Sequence, residues 1–239
     1  VVIADKFGVR VGTEGTVYDN SPAYIKDALD ASLKRLGTNY IDLYQVHYRD
    51  NITPLEAVID TLEELKKSGK IRYYGVSNIH EADYEEIKPY IGKIVSVQEE
   101  YSLAYRKNEK DLMALHSDFK ISPLTWGSLG QGILTGKYTK ENVKFESNDR
   151  RSRGIYVNFH GEKLIKNLEI VETLKEIACK YNKPVSAVAI RFILDYLSES
   201  VVLFGAKRPA QVLGNAEASD WSLDEEDIER LDMISRYDS

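Results

Sequence analysis

Apolar, β-branched runs alternate with amphipathic helical segments along almost the whole chain, and this alternation restricts the fold more than any other feature. Strand patterns fall at residues 1–5, 40–46, 71–77, 94–98, 121–126 and 201–204. Helical patterns follow at 22–36, from 53 to 69, near 81–91, and at 107–119, 163–181 and 185–196. A short helix is expected after Lys207 and a last one after Ser222. Strands this apolar, separated by helices, predict an α/β chain with a parallel sheet covered by helices. A doubly wound sheet and a closed barrel both satisfy the pattern. No G-x-G-x-x-G follows a strand, which disfavours the dinucleotide-binding doubly wound fold.

Local signals mark the helix ends. Ser21 as N-cap, Pro22 at the first helical position and Gly37 past the last turn frame the first helix. Thr53 with Glu56, and Ser222 with Glu225, read as capping boxes, and Gly69 stops the second helix. The polar segment from Thr139 to Glu162 reads as a long loop, either a cover or a solvated surface loop. No internal repeat, low-complexity tract or linker divides the chain, so residues 1–239 are expected to form a single domain. Counting strands adds an expectation. A closed barrel needs eight βα units, and six are present at roughly 40 residues each. Two further units, on the order of 80 residues, are therefore expected upstream of Val1.

The chain has a net charge of −6, which argues against nucleic-acid binding. No apolar run reaches the length of a membrane span and no signal-peptide pattern is present. With Cys179 as the single cysteine, no intrachain disulfide can form, which favours a cytoplasmic setting. Cys179 itself reads as a small buried hydrophobe. His47, His80, His116 and His160 show no metal-ligand spacing, so no metal site is expected. Nothing in the sequence points to an oligomer.

In a βα chain, chemistry gathers at the C-terminal ends of the strands. Those ends carry Lys6, His47, Ser77 with Asn78, Gln98, Trp126-Gly127-Ser128 and Gly205-Ala206-Lys207. Each has an ordinary alternative: Lys6 as a solvated charge, Ser77-Asn78 as a cap, Gln98 as a loop holder, Trp126 as core. Together they outline a polar surface suited to a ligand. Asn78 and Gln98 can bond the carboxamide of a nicotinamide, and Trp126 offers a face for stacking. Lys137, Arg150 or Arg151, and Lys207-Arg208 are cations suited to phosphates. The glycines of Gly127-Ser128-Leu129-Gly130-Gln131-Gly132 permit close backbone approach.

These stretches resemble the aldo-keto reductase superfamily, in the branch of bacterial general-stress oxidoreductases and potassium-channel β-subunits. The similarity runs through Ala4-Asp5-Lys6-Phe7-Gly8, residues 33–47, residues 69–78, Gln98-Glu99-Glu100-Tyr101-Ser102, Gly127-Ser128-Leu129-Gly130 with Leu134-Thr135-Gly136-Lys137-Tyr138, and Gly205-Ala206-Lys207-Arg208-Pro209. The resemblance implies a (β/α)8 TIM barrel, of which this chain would be the third strand onward, and NADPH-dependent reduction of a small-molecule aldehyde or ketone. It assigns catalytic roles to Lys6 and His47. It assigns NADP(H) binding to Ser77, Asn78, Gln98, Trp126, Gly127, Ser128, Leu129, Gly130, Lys137, Gly205, Lys207, Gln211 and Asn215. At Gly214 several relatives carry a glutamate that contacts adenine. The family's aspartate and proton-donating tyrosine precede the lysine, and no residue of this sequence matches them; Tyr48 does not occupy that position. Two other readings are an NADP(H)-binding regulatory or sensor module with little turnover, and a Schiff-base aldolase using Lys6.

Overall fold

The structure, a computed structural model, describes residues 1–12 and 15–238. The chain divides into two compact units, Val1–Glu99 with Ala114–Ser122, and Glu100–Met113 with Pro123–Ser239.

In the first unit, strands β1 (Ala4–Phe7), β4 (Ile41–Val46), β5 (Ile71–Ser77) and β6 (Ile94–Glu100) pair side by side in that order, all parallel. Lys6 stands opposite Gln45, and Ser77 opposite Gln98. The first strand begins later than the sequence pattern suggests, because Val1 and Val2 are exposed and pairing with β4 starts at Ala4. An antiparallel hairpin, β2 (Val9–Gly12) and β3 (Gly15–Tyr18), occupies what the sequence suggested was plain loop. Helix α1 (Pro22–Leu36) is framed as expected: the Ser21 hydroxyl accepts from the Tyr24 N–H at 3.3 Å, and Gly37 takes the left-handed conformation at φ 66°.

Helix α2 (Leu55–Lys67) starts without the expected Thr53 box. The Thr53 N–H and hydroxyl both donate to the Asp50 carboxylate, at 2.8 and 2.7 Å, so this side chain is committed to the preceding loop. The α2 face that carries Val58, Ile59, Leu62 and Leu65 is buried, each side chain contributing roughly 1.5–3 kcal/mol. The segment near 81–91 is no continuous helix. It is a single α-turn, α3 (Tyr84–Ile87), between two 3₁₀ turns, because Pro89 has no N–H to continue the ladder. At the N-terminal ends of the strands, the buried Asp42 accepts from the Ile3 N–H (2.9 Å) and from Arg72 (2.8 Å), whose guanidinium lies 4.2 Å from the Tyr40 ring centroid.

Helix α4 (Glu109–Ser117) begins in the second unit and ends in the first. In the second unit, β7 (Ser122–Trp126) pairs in parallel with β8 (Val201–Val202). Helices α5 (Gly161–Tyr181), α6 (Val185–Tyr196), α7 (Pro209–Ala216) and α8 (Glu225–Ser235) follow in sequence, with β8 between α6 and α7. Asp224, rather than Ser222, caps α8 by accepting from the Asp227 N–H. The inward stripe of α5 comprises Ile170, Val171, Leu174, Ile177 and Ala178. Cys179 falls off that stripe and is exposed, contrary to its expected burial. Arg106, only 1% exposed, bonds Glu109, Asp232 and Ser235 and lies against the rings of Tyr101, Phe192 and Tyr196. Among the described residues, no helix is long and apolar enough to cross a membrane.

Candidate active-site residues

In the first unit the strand ends are tied together laterally. The His47 N–H donates to the Phe7 carbonyl at 2.9 Å, joining the end of β4 to the end of β1. The Asn78 side-chain NH₂ donates to the His47 carbonyl at 2.8 Å, and the Asn78 backbone N–H to the Gln98 carbonyl at 3.3 Å. Asn78 sits at φ 57°, a left-handed conformation that asparagine tolerates better than most residues. With its NH₂ held by His47, the side-chain oxygen Oδ1 is left as an acceptor. The neighbouring Ser77 hydroxyl, in a residue only 2% exposed, has no hydrogen-bond partner. A buried hydroxyl in that condition is an unmet donor and acceptor.

Lys6 lies in β1 itself, half-buried, rather than beyond the strand end. Burial pushes its pKa down, and the Asp5 carboxylate partly counters this. Burial also lowers the His47 pKa, and the positive charge of Lys6 lowers it further. The imidazole is therefore biased toward its neutral form, able to donate one ring N–H. Its ring stacks on Tyr48 at 4.8 Å, and Tyr48 in turn packs against Tyr18 at 5.2 Å.

Sequence reasoning missed what supports this group. The fully buried Asn20 donates from Nδ2 to the Tyr48 carbonyl (3.1 Å) and exchanges two 2.8 Å bonds with Asp50. Burial alone would raise the Asp50 pKa, but bonds from Asn20, Ile52 and Thr53 hold it at about 2. Gly8, at φ 100°, packs so closely that a Cβ there would lie 2.6 Å from Asn20 Nδ2 and 3.0 Å from the Tyr48 carbonyl oxygen. The available signal was Asp50-x-x-Thr53, a local side-chain turn that competes with the capping box.

In the second unit, the glycine loop after β7 turns through left-handed residues at Gly127, Gly130, Gln131, Gly132 and Gly136. Its side chains anchor the loop. The Ser128 hydroxyl donates to the carbonyls of Thr125 and Leu203, both at 3.1 Å, and Leu129 packs against Ala187, Ile190 and Ala218. Ligand contact from these two residues would thus fall to their backbone. Trp126 is 36% exposed, so its ring is not core. The Lys137 ammonium lies 4.6 Å from the Tyr138 ring centroid. Arg151 is committed elsewhere: it bonds Asp149 through Nε and Nη2, donates to the Tyr138 hydroxyl at 2.6 Å and lies over Phe145. Arg151 thus fastens the 139–160 segment, which is built of short 3₁₀ turns around Tyr138, Phe145 and Phe159.

The stretch after β8 presents Gly205, Lys207 and Arg208 at the surface. Gln211 Oε1 accepts from the backbone N–H groups of Lys207 (2.7 Å) and Arg208 (3.1 Å), which fixes the start of α7, and Asn215 is buried on that helix. The Asp149 carboxyl is held well below its usual range, chiefly by Arg151, with Lys207 adding to the effect.

The model of the aldo/keto reductase family matches residues 1–236. Aldo-keto reductase YhdN of Bacillus subtilis is 36% identical over 213 residues, covering 89% of this chain and 63% of its own. The NADH-specific methylglyoxal reductase of Escherichia coli is 30% identical over 242 residues, covering 95% and 72%. Among solved structures, the glycerol dehydrogenase AKR11B4 of Gluconobacter oxydans superposes with a TM-score of 0.88 at 30% identity, over 98% of this chain and 72% of that one. The chain therefore spans between three-fifths and three-quarters of the length of these relatives. It belongs to the aldo/keto reductase family.

Proposed function

We propose that the protein is an NADP(H)-dependent carbonyl reductase, and that residues 1–239 belong to the family's eight-stranded barrel domain. The observation that carries the reading is the linked group at the strand ends of the first unit: Lys6, the neutral-biased His47, Asn78 locked onto His47, and the unpartnered Ser77 hydroxyl. A nicotinamide carboxamide fits the last two, since its NH₂ can donate to Asn78 Oδ1 and its amide can meet the Ser77 hydroxyl. Gln98, opposite Ser77, is the third candidate contact. In the second unit, Trp126 offers its exposed ring for stacking. The backbone of Gly127, Ser128, Leu129 and Gly130, with Lys137, suits a pyrophosphate. Gly205, Lys207, Gln211 and Asn215 suit an adenosine end, and the cations Lys207 and Arg208 suit a 2′-phosphate.

When bound, the cofactor supplies the hydride. The chain's own residues orient and polarise. His47 as a neutral donor bonds the substrate carbonyl oxygen and stabilises the negative charge that develops there. The Lys6 cation lowers the pKa of a neighbouring acid and so eases protonation of that oxygen. In the family pattern that acid is a tyrosine N-terminal to the lysine. The compartment we propose is the cytoplasm.

The test is steady-state NADPH and NADH oxidation by the full-length protein with a panel of aldehydes and diketones, beside cofactor titration by fluorescence. Turnover with a preference for NADPH is expected. Cofactor binding without turnover would favour a regulatory binding module, and binding of neither cofactor would overturn the reading. Because a relative is named NADH-specific, the NADPH preference is measured directly, and Lys207→Ala is expected to erode it.

A further inference from the structure

Resting on the cofactor reading above, we propose that a one-way chain of side-chain hydrogen bonds from Tyr237 to Glu100 positions the glycine loop for the dinucleotide, with Gln131 as its positioning residue. Gln131 is a non-glycine residue in the left-handed region at φ 54°, between Gly130 at 54° and Gly132 at 100°. A side chain there is held against an intrinsic preference and needs outside support. Both ends of its amide are tethered. Nε2 donates to Glu100 Oε1 at 3.2 Å, and Oε1 accepts from Asn158 Nδ2 at 2.6 Å.

The tether continues inward. Asn158 is buried, and its backbone oxygen and Oδ1 accept from Asn167 Nδ2 at 3.1 and 3.4 Å. Asn167 is fully buried, and its Oδ1 accepts from the Tyr237 hydroxyl at 2.6 Å. Every donor in the series points the same way, from the phenol through three amides to the carboxylate. Bonds so aligned polarise one another, and the loss of Tyr237 or of Asn158 leaves the fully buried Asn167 amide short of a partner.

The far end of the series touches the loop a second time. A Cβ on Gly127 would stand 3.1 Å from both Cγ and Oε1 of Glu100, so this side chain is the wall behind the first glycine of the loop. Glu100 is itself held, for its backbone carbonyl accepts from Asn108 Nδ2 at 3.1 Å and Lys163 faces its carboxylate with a positive charge. The geometry thus fixes the loop at Gly127 by packing and at Gln131 by hydrogen bonds. A residue near the C-terminus, Tyr237, completes the support.

The experiment measures NADPH affinity, 2′,5′-ADP affinity and Tm for the full-length protein and for Tyr237→Phe, Glu100→Leu and Glu100→Gln. Tyr237→Phe removes one hydroxyl, and Glu100→Leu removes the terminal acceptor. Each is expected to weaken NADPH binding about 3- to 10-fold, the equivalent of one loosened hydrogen bond. Affinity for 2′,5′-ADP, which lacks the pyrophosphate, is expected to hold. Glu100→Gln keeps an acceptor oxygen and is expected to restore NADPH affinity to within about 2-fold. Unchanged NADPH affinity in Tyr237→Phe, or an equal loss for 2′,5′-ADP, would overturn the positioning role alone. If the unsubstituted protein binds neither NADPH nor NADH, the cofactor reading falls and this role with it. Should Glu100→Leu fail to fold, Tyr237→Phe and Glu100→Gln still decide the matter.

Discussion

Asn78 combines two effects that substitution can separate. Its NH₂ bonds the His47 carbonyl at 2.8 Å, and its backbone sits at φ 57°. Asn78→Ala removes the bond, worth about 0.5–1.5 kcal/mol net, and places a Cβ-bearing residue with no local compensation in a conformation costing about 1–2 kcal/mol. The expected loss is about 1.5–3.5 kcal/mol. Asn78→Gly loses the same bond but escapes the backbone cost, at the expense of about 0.5–1 kcal/mol of extra unfolded-state entropy. The glycine variant is therefore expected to be the more stable of the two, by roughly 0.5–1 kcal/mol. Asn78→Asp keeps the tolerance for positive φ but turns an acceptor toward a carbonyl oxygen, so its stability should be no better than that of alanine. The same aspartate retains an oxygen able to accept from a carboxamide, so cofactor affinity should survive better in it than in either other variant. Urea unfolding at constant m-value gives the stability order, and fluorescence titration gives the affinities. If alanine proves as stable as glycine, the left-handed backbone is not a source of strain. If aspartate binds no better than alanine, Asn78 Oδ1 is not the carboxamide acceptor.

Three further outcomes are expected. The His47 titration, followed by NMR of its ring protons, should have its midpoint below 6.5, and Lys6→Met should raise that midpoint because a facing positive charge is removed; a midpoint that stays put or falls would show that Lys6 does not act on His47. The same depressed pKa means that folding favours the neutral imidazole, so its contribution to stability is present above about pH 6.5 and is lost as pH falls through the folded value. Arg106→Met strips the buried partner from Glu109 and Asp232 and should cost about 3–5 kcal/mol by urea unfolding, with partial recovery when Glu109→Gln and Asp232→Asn are added; a loss under about 1 kcal/mol would mean the cluster is no better than a surface pair. Gly75→Ala would place a Cβ 2.8 Å from the Ser96 backbone oxygen, at the irregularity where β5 meets β6, and should cost about 1–3 kcal/mol; a neutral outcome would show that this register can relax.

Helix α1 could be read from Ser21, Pro22 and Gly37 because every group involved lies within a few residues of its partner. Thr53 and Ser222 carried equally good local signals and failed, since Asp50 and Asp224 lie just as near and are stronger acceptors. Cys179 was misplaced because the buried stripe of α5 passes beside it, a matter of helix rotation rather than residue type. Among the candidate site residues, His47 and Asn78 were legible as polar residues just past strand ends, whereas Lys6 lies within β1. The commitment of the Ser128 hydroxyl and of Arg151 to structural bonds was not.

Residue order alone was enough to read the α/β alternation and the polar residues near the strand ends, but its periodicity fitted a doubly wound sheet as well as a closed barrel. Periodicity, caps and glycines act over a few residues, so they are written locally. Packing settles which way the Asn78 amide points, that the Ser77 hydroxyl is left unpartnered, and that Tyr237 reaches Asn167 across the second unit. Those partners are separated by 31 residues for Asn78 and His47, and by 70 for Tyr237 and Asn167. A hydrogen bond across such a distance exists only when packing brings both groups out of water together.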